Sequence, residues 1–364
     1  MRLEKRTQPS RTALLLAPVG AVLFTLAISA LLVLWAGAPV GRTFAAMFAG
    51  GFGSVFAWSE TLTRAVPLIL TGLAATVAFK ARLFNIGAEG QLYGGALAAV
   101  AVGSLFGESG LWSSSWLVFV LMLVAAALAG AALLLGPVLL KVRLGVDEVV
   151  TTLLMNFIVL LAVSALLDGP MKDPTALGWP QSVALPAELE LARPIEGTRL
   201  HSGLFMAIGL AGALWLIFKH SVLGFDIRAT GANARAAAFA GVPALRTAVL
   251  VALLSGSLAG LAGAIEVAGR AGYVTLDMSP GFGYTGIVIA MLAGLHPLGV
   301  LAASVFVAGV LVGADSMSRA VGVPTYIADV IVATSLIAVL VATLLTQYRL
   351  QPRQQPRIRA SSST

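Results

Sequence analysis

No cysteine stands anywhere in the 364 residues, which removes disulfides, thiolate metal sites and cysteine nucleophiles together. Charge is scarce too: Asp, Glu, Lys and Arg make up 11% of the chain, against about 25% in soluble domains. A soluble protein of this length covers its surface with charge, and this one has too little to do so. The three histidines, His201, His220 and His296, are scattered, and Ser255-Gly256-Ser257 has no histidine near it. The sequence also lacks a Walker-type phosphate loop. Gly313-Ala314-Asp315 superficially resembles an intramembrane aspartyl protease motif, but no partner aspartate stands in a suitable second span. Covalent catalysis, a metal site and nucleotide hydrolysis within this chain are all disfavoured. Any ATP hydrolysis has to come from another subunit.

What the chain has in abundance is apolar surface. Apolar residues reach 59%, against about 45–50% in ordinary domains, and the mean hydropathy is +0.95. They fall in runs of about 17–25 residues, each long enough to cross a hydrocarbon core of about 30 Å. Lipid admits only helices and closed barrels, and these runs lack barrel-like alternation. The expectation is an all-α integral membrane protein with about ten transmembrane helices, at roughly 13–36, 62–79, 83–105, 114–140, 147–167, 202–219, 246–267, 283–295, 297–315 and 325–346. The eighth is short, and only the Gly294–Gly299 turn separates it from the ninth. Short, glycine-interrupted segments of this kind line cavities in transporters. The first run exceeds the core of a signal peptide and no cleavage site follows it, so it reads as a retained signal anchor.

Charge orients this bundle. With the N-terminus inside, 16 of the 23 basic residues fall on the cytoplasmic side, as the positive-inside rule requires. The sequence pI near 10.1 then reflects topology, with no nucleic-acid partner implied. Trp35, Trp58, Trp112, Trp116 and Trp179 lie at or beyond outer span ends, as interfacial anchors do. Residues 1–12 form a basic cytoplasmic N-terminus, 13–346 the membrane domain, and 347–364 a basic cytoplasmic tail expected to be disordered. Residues 168–201 make a proline-rich outer loop, and 220–245 the longest inner loop.

Three polar stretches interrupt the apolar pattern. Phe84-Asn85-Ile86-Gly87-Ala88-Glu89-Gly90-Gln91 puts a carboxylate and two amides at the start of the third span. A charge within a span is costly unless it meets water, a partner or a substrate. Either these residues line a transport path, or Glu89 pairs with Lys80 or Arg82 and the glycines permit tight packing. In the run from Asp147 to Asn156, Asp147 and Glu148 suit the dipole at a helix N-terminus. Asn156, two turns deeper, either bonds across helices or faces a substrate. In the inner loop, Asn233 is placed to cap a short helix over about 234–240 that Gly241 and Pro243 stop. A rigid alanine-rich helix of this sort suits docking into a partner's groove. Glu266 and Arg270 are spaced to pair along a helix, while Asp315 and Asp329 read as ordinary outer-surface charges.

These three stretches resemble permease subunits of bacterial ABC importers, in the branch that takes up nucleosides and simple sugars. The resemblance covers roughly residues 60–345. It implies a second permease subunit, an ATP-binding subunit that uses the ATP, an extracytoplasmic substrate-binding protein, and residence in the bacterial inner membrane with both termini cytoplasmic. No cofactor is bound directly. The loop holding Gly231, Asn233, Ala237, Phe239 and Gly241 would be the cytoplasmic coupling helix on the ATPase, and spans two to five and seven to ten would be inverted repeats. Asn85, Glu89, Gln91 and Asn156 become candidates for the substrate pathway, with nucleosides ahead of ribose-like sugars. The rival readings are an ion-coupled secondary transporter, with Glu89 or Glu266 as its coupling carboxylate, and a non-transporting membrane scaffold.

Overall fold

The computed structural model describes residues 2–5, 11–107 and 110–322, scattered positions between 324 and 342, and residues 348–351. The expected Asp329 and most of the tail lie outside the described residues. Up to Gly322, the chain forms twelve α-helices: α1 (Arg11–Trp35), α2 (Val40–Phe52), α3 (Val55–Lys80), α4 (Ala88–Gly103), α5 (Ser115–Leu144), α6 (Glu148–Asp168), α7 (Gly203–His220), α8 (Val222–Ala232), α9 (Ala234–Phe239), α10 (Ala244–Glu266), α11 (Phe282–Leu292) and α12 (Pro297–Val321). Strands β1 (Arg2–Lys5) and β2 (Tyr348–Gln351) pair antiparallel. The start of the tail expected to be disordered is therefore ordered against the other end of the chain.

Local chemistry sets many of these boundaries. Ser54 caps α3 by accepting from the Ala57 N–H at 3.0 Å, and Asp147 caps α6 by accepting from Val149 at 2.8 Å, as expected of it. Gly145 and Gly322, at φ +70° and +72°, end α5 and α12 in the left-handed conformation. A π turn over Val267–Ala271 continues α10.

Six of the helices are long and apolar enough to cross a membrane: α3, α5, α6, α7, α10 with its π turn, and α12. The second half of α1 joins α2 across a bend of 118° to give a seventh candidate. The chain is thus a multi-pass membrane protein. The expected third and eighth spans take a different form. Each consists of an irregular segment, 82–87 or 273–280, leading into a short helix, α4 or α11. At about 1.5 Å per residue, the 11 residues of α11 reach roughly half of a 30 Å core. Two helices have no counterpart in the expected topology. α2 is largely apolar but short, and α8 fills half of what reads as a polar inner loop.

α3 lies at the centre, buried along nearly its whole length from Ala65 to Ala78. Around it, α10 packs on α4 and α5, while α3 packs on α11 and α12. The α4–α5–α10 contact is a seam of glycines. A Cβ added at Gly95 would lie 2.2 Å from the Gly260 carbonyl oxygen, one at Gly130 2.2 Å from that of Gly256, and one at Gly260 2.1 Å from that of Ala126. Backbones this close leave no room for a methyl group. Gly260→Val should therefore separate the helices and lower stability by about 1–3 kcal/mol or more, read as a lower melting midpoint in detergent by tryptophan fluorescence. Gly136→Ala, where a Cβ meets nothing within 4 Å, should leave the midpoint unchanged.

Candidate functional site

Backbone in a bilayer must find its hydrogen bonds within the protein, and the segment from Arg82 to Gly87 has no helix to supply them. It starts at Arg82, a non-glycine residue at φ +55°; the Arg82, Leu83 and Asn85 N–H groups find backbone carbonyls, and the remaining bonds come from side chains. Glu148 Oε1 accepts from the Phe84 N–H at 3.3 Å, and Thr152 Oγ1 from the Ile86 N–H at 3.2 Å. The Asn156 amide donates to the Ile86 carbonyl at 2.9 Å and accepts from the Gly90 N–H at 2.8 Å. Asn85 accepts from the Gly87 N–H at 2.9 Å and exchanges two 2.9 Å bonds with the Gln91 amide. It also donates to Ser255 Oγ at 3.1 Å, and Ser255 donates onward to the Ala74 carbonyl at 2.8 Å. The motif residues thus replace the ladder that a helix would provide.

Glu89 has a different part. Its Oε2 accepts from the Gly283 N–H at 2.6 Å, with the Ser279 side chain and the Gly281 backbone close enough to favour its charged form. Glu89 stands in the first turn of α4, and its carboxylate sits at the first amides of α11. One negative charge thereby meets the positive ends of two helix dipoles. Lys80 donates instead to the Leu295 carbonyl at 3.1 Å, so the alternative in which Glu89 pairs with Lys80 or Arg82 gives way to this capping. Asn156 also donates to the Tyr284 hydroxyl at 3.0 Å, tying α6 to α11. The segment before α11 is held in a matching way: the Tyr93 hydroxyl donates to the Leu276 carbonyl and accepts from the Ser279 N–H at 3.2 Å.

Asn85, Glu89, Gln91 and Asn156 are therefore gathered into one polar cluster around the start of α4, each at most 3% exposed. Asn156 bonds across helices, and none of the four lines the cavity between α2, α3 and α12. Glu148, expected at the helix dipole, is in the first turn of α6 and also pairs with Lys141.

The inner-loop motif forms the short helix its sequence suggests. Asn233 Oδ1 accepts from the Arg235 and Ala236 N–H groups, each at 3.1 Å, and Gly241 at φ +89° stops α9. Ala237 is buried and Phe239 is 97% exposed. Gly231 packs where a Cβ would lie 1.9 Å from the Lys80 carbonyl oxygen. The loop is thus seated on the end of α3, a few residues before the Asn85 network.

A large cavity lies elsewhere, toward the opposite end of α3. It holds about 770 Å³ between α2, α3 and α12, with Glu60, Arg64, Arg199, Arg270, Asp315 and Arg319 among its lining residues. Arg64 pairs with Asp315, Arg199 approaches Glu60 at 3.9 Å, and Arg270 pairs with Glu266, as the spacing of the last two suggests. Asp315 is thus no ordinary surface charge: it bridges α12 to α3 at the cavity wall. Arg64 and Glu60 escaped the sequence reading, although two charges four apart beside an apolar run were a usable signal. Among the described residues, no cluster of three or more His, Asp or Glu could hold a metal ion.

Comparison with known proteins agrees with this architecture. Residues 57–340 match the family described as branched-chain amino acid transport system / permease component, and the chain belongs to that family. It is 35% identical to the guanosine ABC transporter permease protein NupP of Bacillus subtilis, over 89% of this chain and 92% of that one. It is 34% identical to the glucose ABC transporter permease protein TsgB13 of Haloferax volcanii, over 91% and 88% of the two chains, and 29% identical to the nucleoside ABC transporter permease protein NupB of Lactococcus lactis, over 89% and 90%. The protein is an ABC importer permease subunit, a transport component rather than an enzyme.

Two outcomes follow from this geometry. Asn156→Leu strands the Ile86 carbonyl and the Gly90 N–H, each buried loss costing about 1–3 kcal/mol, so the melting midpoint should fall well below that of Asn233→Ala, which removes one exposed cap. His201, just ahead of α7, is fully buried, and among the described residues neither ring nitrogen has a partner. Burial first, then Arg193 and Arg270, push its pKa down from 6.5 to about 4. The native state keeps the ring neutral while the unfolded chain takes up a proton below about 6.5. Its stabilisation is therefore complete above pH 6.5 and is lost as pH falls toward 4, by on the order of 3 kcal/mol. His201→Leu should flatten the pH dependence of the melting midpoint across that window.

Proposed function

We propose that this chain imports a nucleoside, or failing that a simple sugar, by alternating access across the bacterial inner membrane. It would work with a second permease, a pair of ATP-binding subunits and an extracytoplasmic binding protein. Carrying this reading is the likeness, over about nine-tenths of both chains, to permeases named for guanosine and glucose. The membrane path would run ten crossings, counting each irregular segment with its short helix as one and the partly described stretch after Gly322 as the last. Both termini would be cytoplasmic, and the pairing of β1 with β2 supports their lying on one side. The reciprocal packing of α10 on α4 and α5, and of α3 on α11 and α12, supports inverted repeats.

In this scheme α9 is the coupling helix, its buried Ala237 fixing it to the loop and its exposed Phe239 offered to the ATPase. Gly231, packed on Lys80, carries its motion to the end of α3 and into the turn that holds Asn85. The four buried polar residues act as the closed inner gate: transport requires α4 to part from α6 and α11, exposing Asn85, Glu89, Gln91 and Asn156 to the solute in passing. Both carboxylates that an ion-coupled transporter would use are already engaged, Glu89 at the α11 amides and Glu266 by Arg270, which weighs against that rival.

Purification of the tagged protein from its host in gentle detergent should recover a P-loop ATPase. Phe239→Ala should cut that recovery severalfold while leaving the melting midpoint of the permease unchanged. Recovery of the intact bundle without an ATPase, under conditions that preserve other importers, would sink the proposal.

A further inference from the structure

The cavity between α2, α3 and α12 has no part in the coupling or gating just described. Its volume of about 770 Å³ lies within the range of about 300–1,000 Å³ typical of small-molecule sites. One of its charge pairs serves poorly as a structural brace. The Arg64 and Asp315 side chains keep 23% and 41% of their exposure, and pairs so open to solvent contribute only about 0–1 kcal/mol.

We propose that this cavity is an outward-facing solute site within the permease itself, and that it takes an uncharged, hydroxyl-bearing solute. The proposal rests on the nucleoside or sugar reading above and adds where such a solute is held. Three observations carry it. First, Arg64 and Arg199 each stand beside a carboxylate that also lines the cavity, Asp315 and Glu60, while Arg270 reaches the wall from its pair with the buried Glu266. Such pairs offer donor and acceptor side by side, which is what a hydroxyl group, itself donor and acceptor, can use. Second, Glu60 lines the cavity with 22% of its side chain exposed; Arg199 approaches its Oε2 only to 3.9 Å, and its buried Oε1 has no hydrogen-bond donor among the described residues, so this carboxylate keeps unused acceptor capacity. Third, Phe56 lines the same cavity at 58% exposure and gives one aromatic face for a base or a sugar ring. The floor leads onward. Arg270 also donates to the Met278 carbonyl at 3.4 Å, in the segment whose Ser279, Gly281 and Gly283 hold Glu89. A solute at Arg270 therefore sits directly above the gate.

The test uses the complete importer in proteoliposomes, with radiolabelled guanosine, adenosine and glucose as probes. Glu60→Gln and Asp315→Asn each remove one charge-assisted bond and should lower uptake at limiting solute by about tenfold or more, with recovery of the ATPase subunit unchanged. Ala49→Trp, at an exposed wall position, should fill the space and abolish uptake with the same recovery. Wild-type uptake in all three variants would overturn the proposal while leaving the importer reading intact. Full uptake by the exchanged pair Arg64→Asp with Asp315→Arg, beside a defective Asp315→Asn, would also overturn it, since the pair would then be only a bridge between α3 and α12. Transport of none of the probes by the wild-type importer would sink the nucleoside or sugar reading, and this site falls with it.

Discussion

The segment from Arg82 to Gly87 must be hydrogen-bonded without a helix and without water, and the rest of the structure follows from how that is done. Four side chains, Asn85 from the segment itself and Glu148, Thr152 and Asn156 from α6, take over bonds that a helical turn would make, and Gln91 of α4 holds Asn85 in place. Each can do so only if α4, α6 and α10 are close enough to reach. The close packing of small residues around α4 is thus a condition of the polar motif as well as its neighbour. Glu89 extends the same economy to a second irregular segment, because its carboxylate neutralises the amides that open α11.

This arrangement accounts for a polar cluster that is buried at rest and still plausible as a gate. A fully bonded network is stable while its backbones stay in place, and it fails as a unit when one of them moves. The seat of Gly231 on the end of α3 lies only a few residues from that backbone. If α9 couples as proposed, its displacement would reach the network through a backbone contact, with no long relay of side chains needed.

Much of this was legible in the residues. Six of the expected spans followed from apolar runs, and the short helix over 234–239 followed from its Asn cap and Gly stop. The motif residues announced themselves by being polar where lipid forbids it. What they bond to was not legible, because Glu89 has two nearby lysine or arginine candidates in sequence and meets neither. Its partners come from a segment almost two hundred residues away, and only the crossing of the two halves brings them together. α2 escaped because its apolar run is too short to suggest a span. The cavity escaped because its charges come from four separate stretches, each unremarkable alone.

The glycine seam between α4, α5 and α10 has a mechanical consequence. Surfaces meeting through side chains can slide by letting rotamers exchange. Backbones in direct contact cannot, since a shift of half a turn along the axis drives a carbonyl into the next side chain. These three helices consequently behave as a chassis, and any change of shape in this subunit has to be a tilting of that chassis against the elements around it, with α6, α11 and α12 as the moving wall.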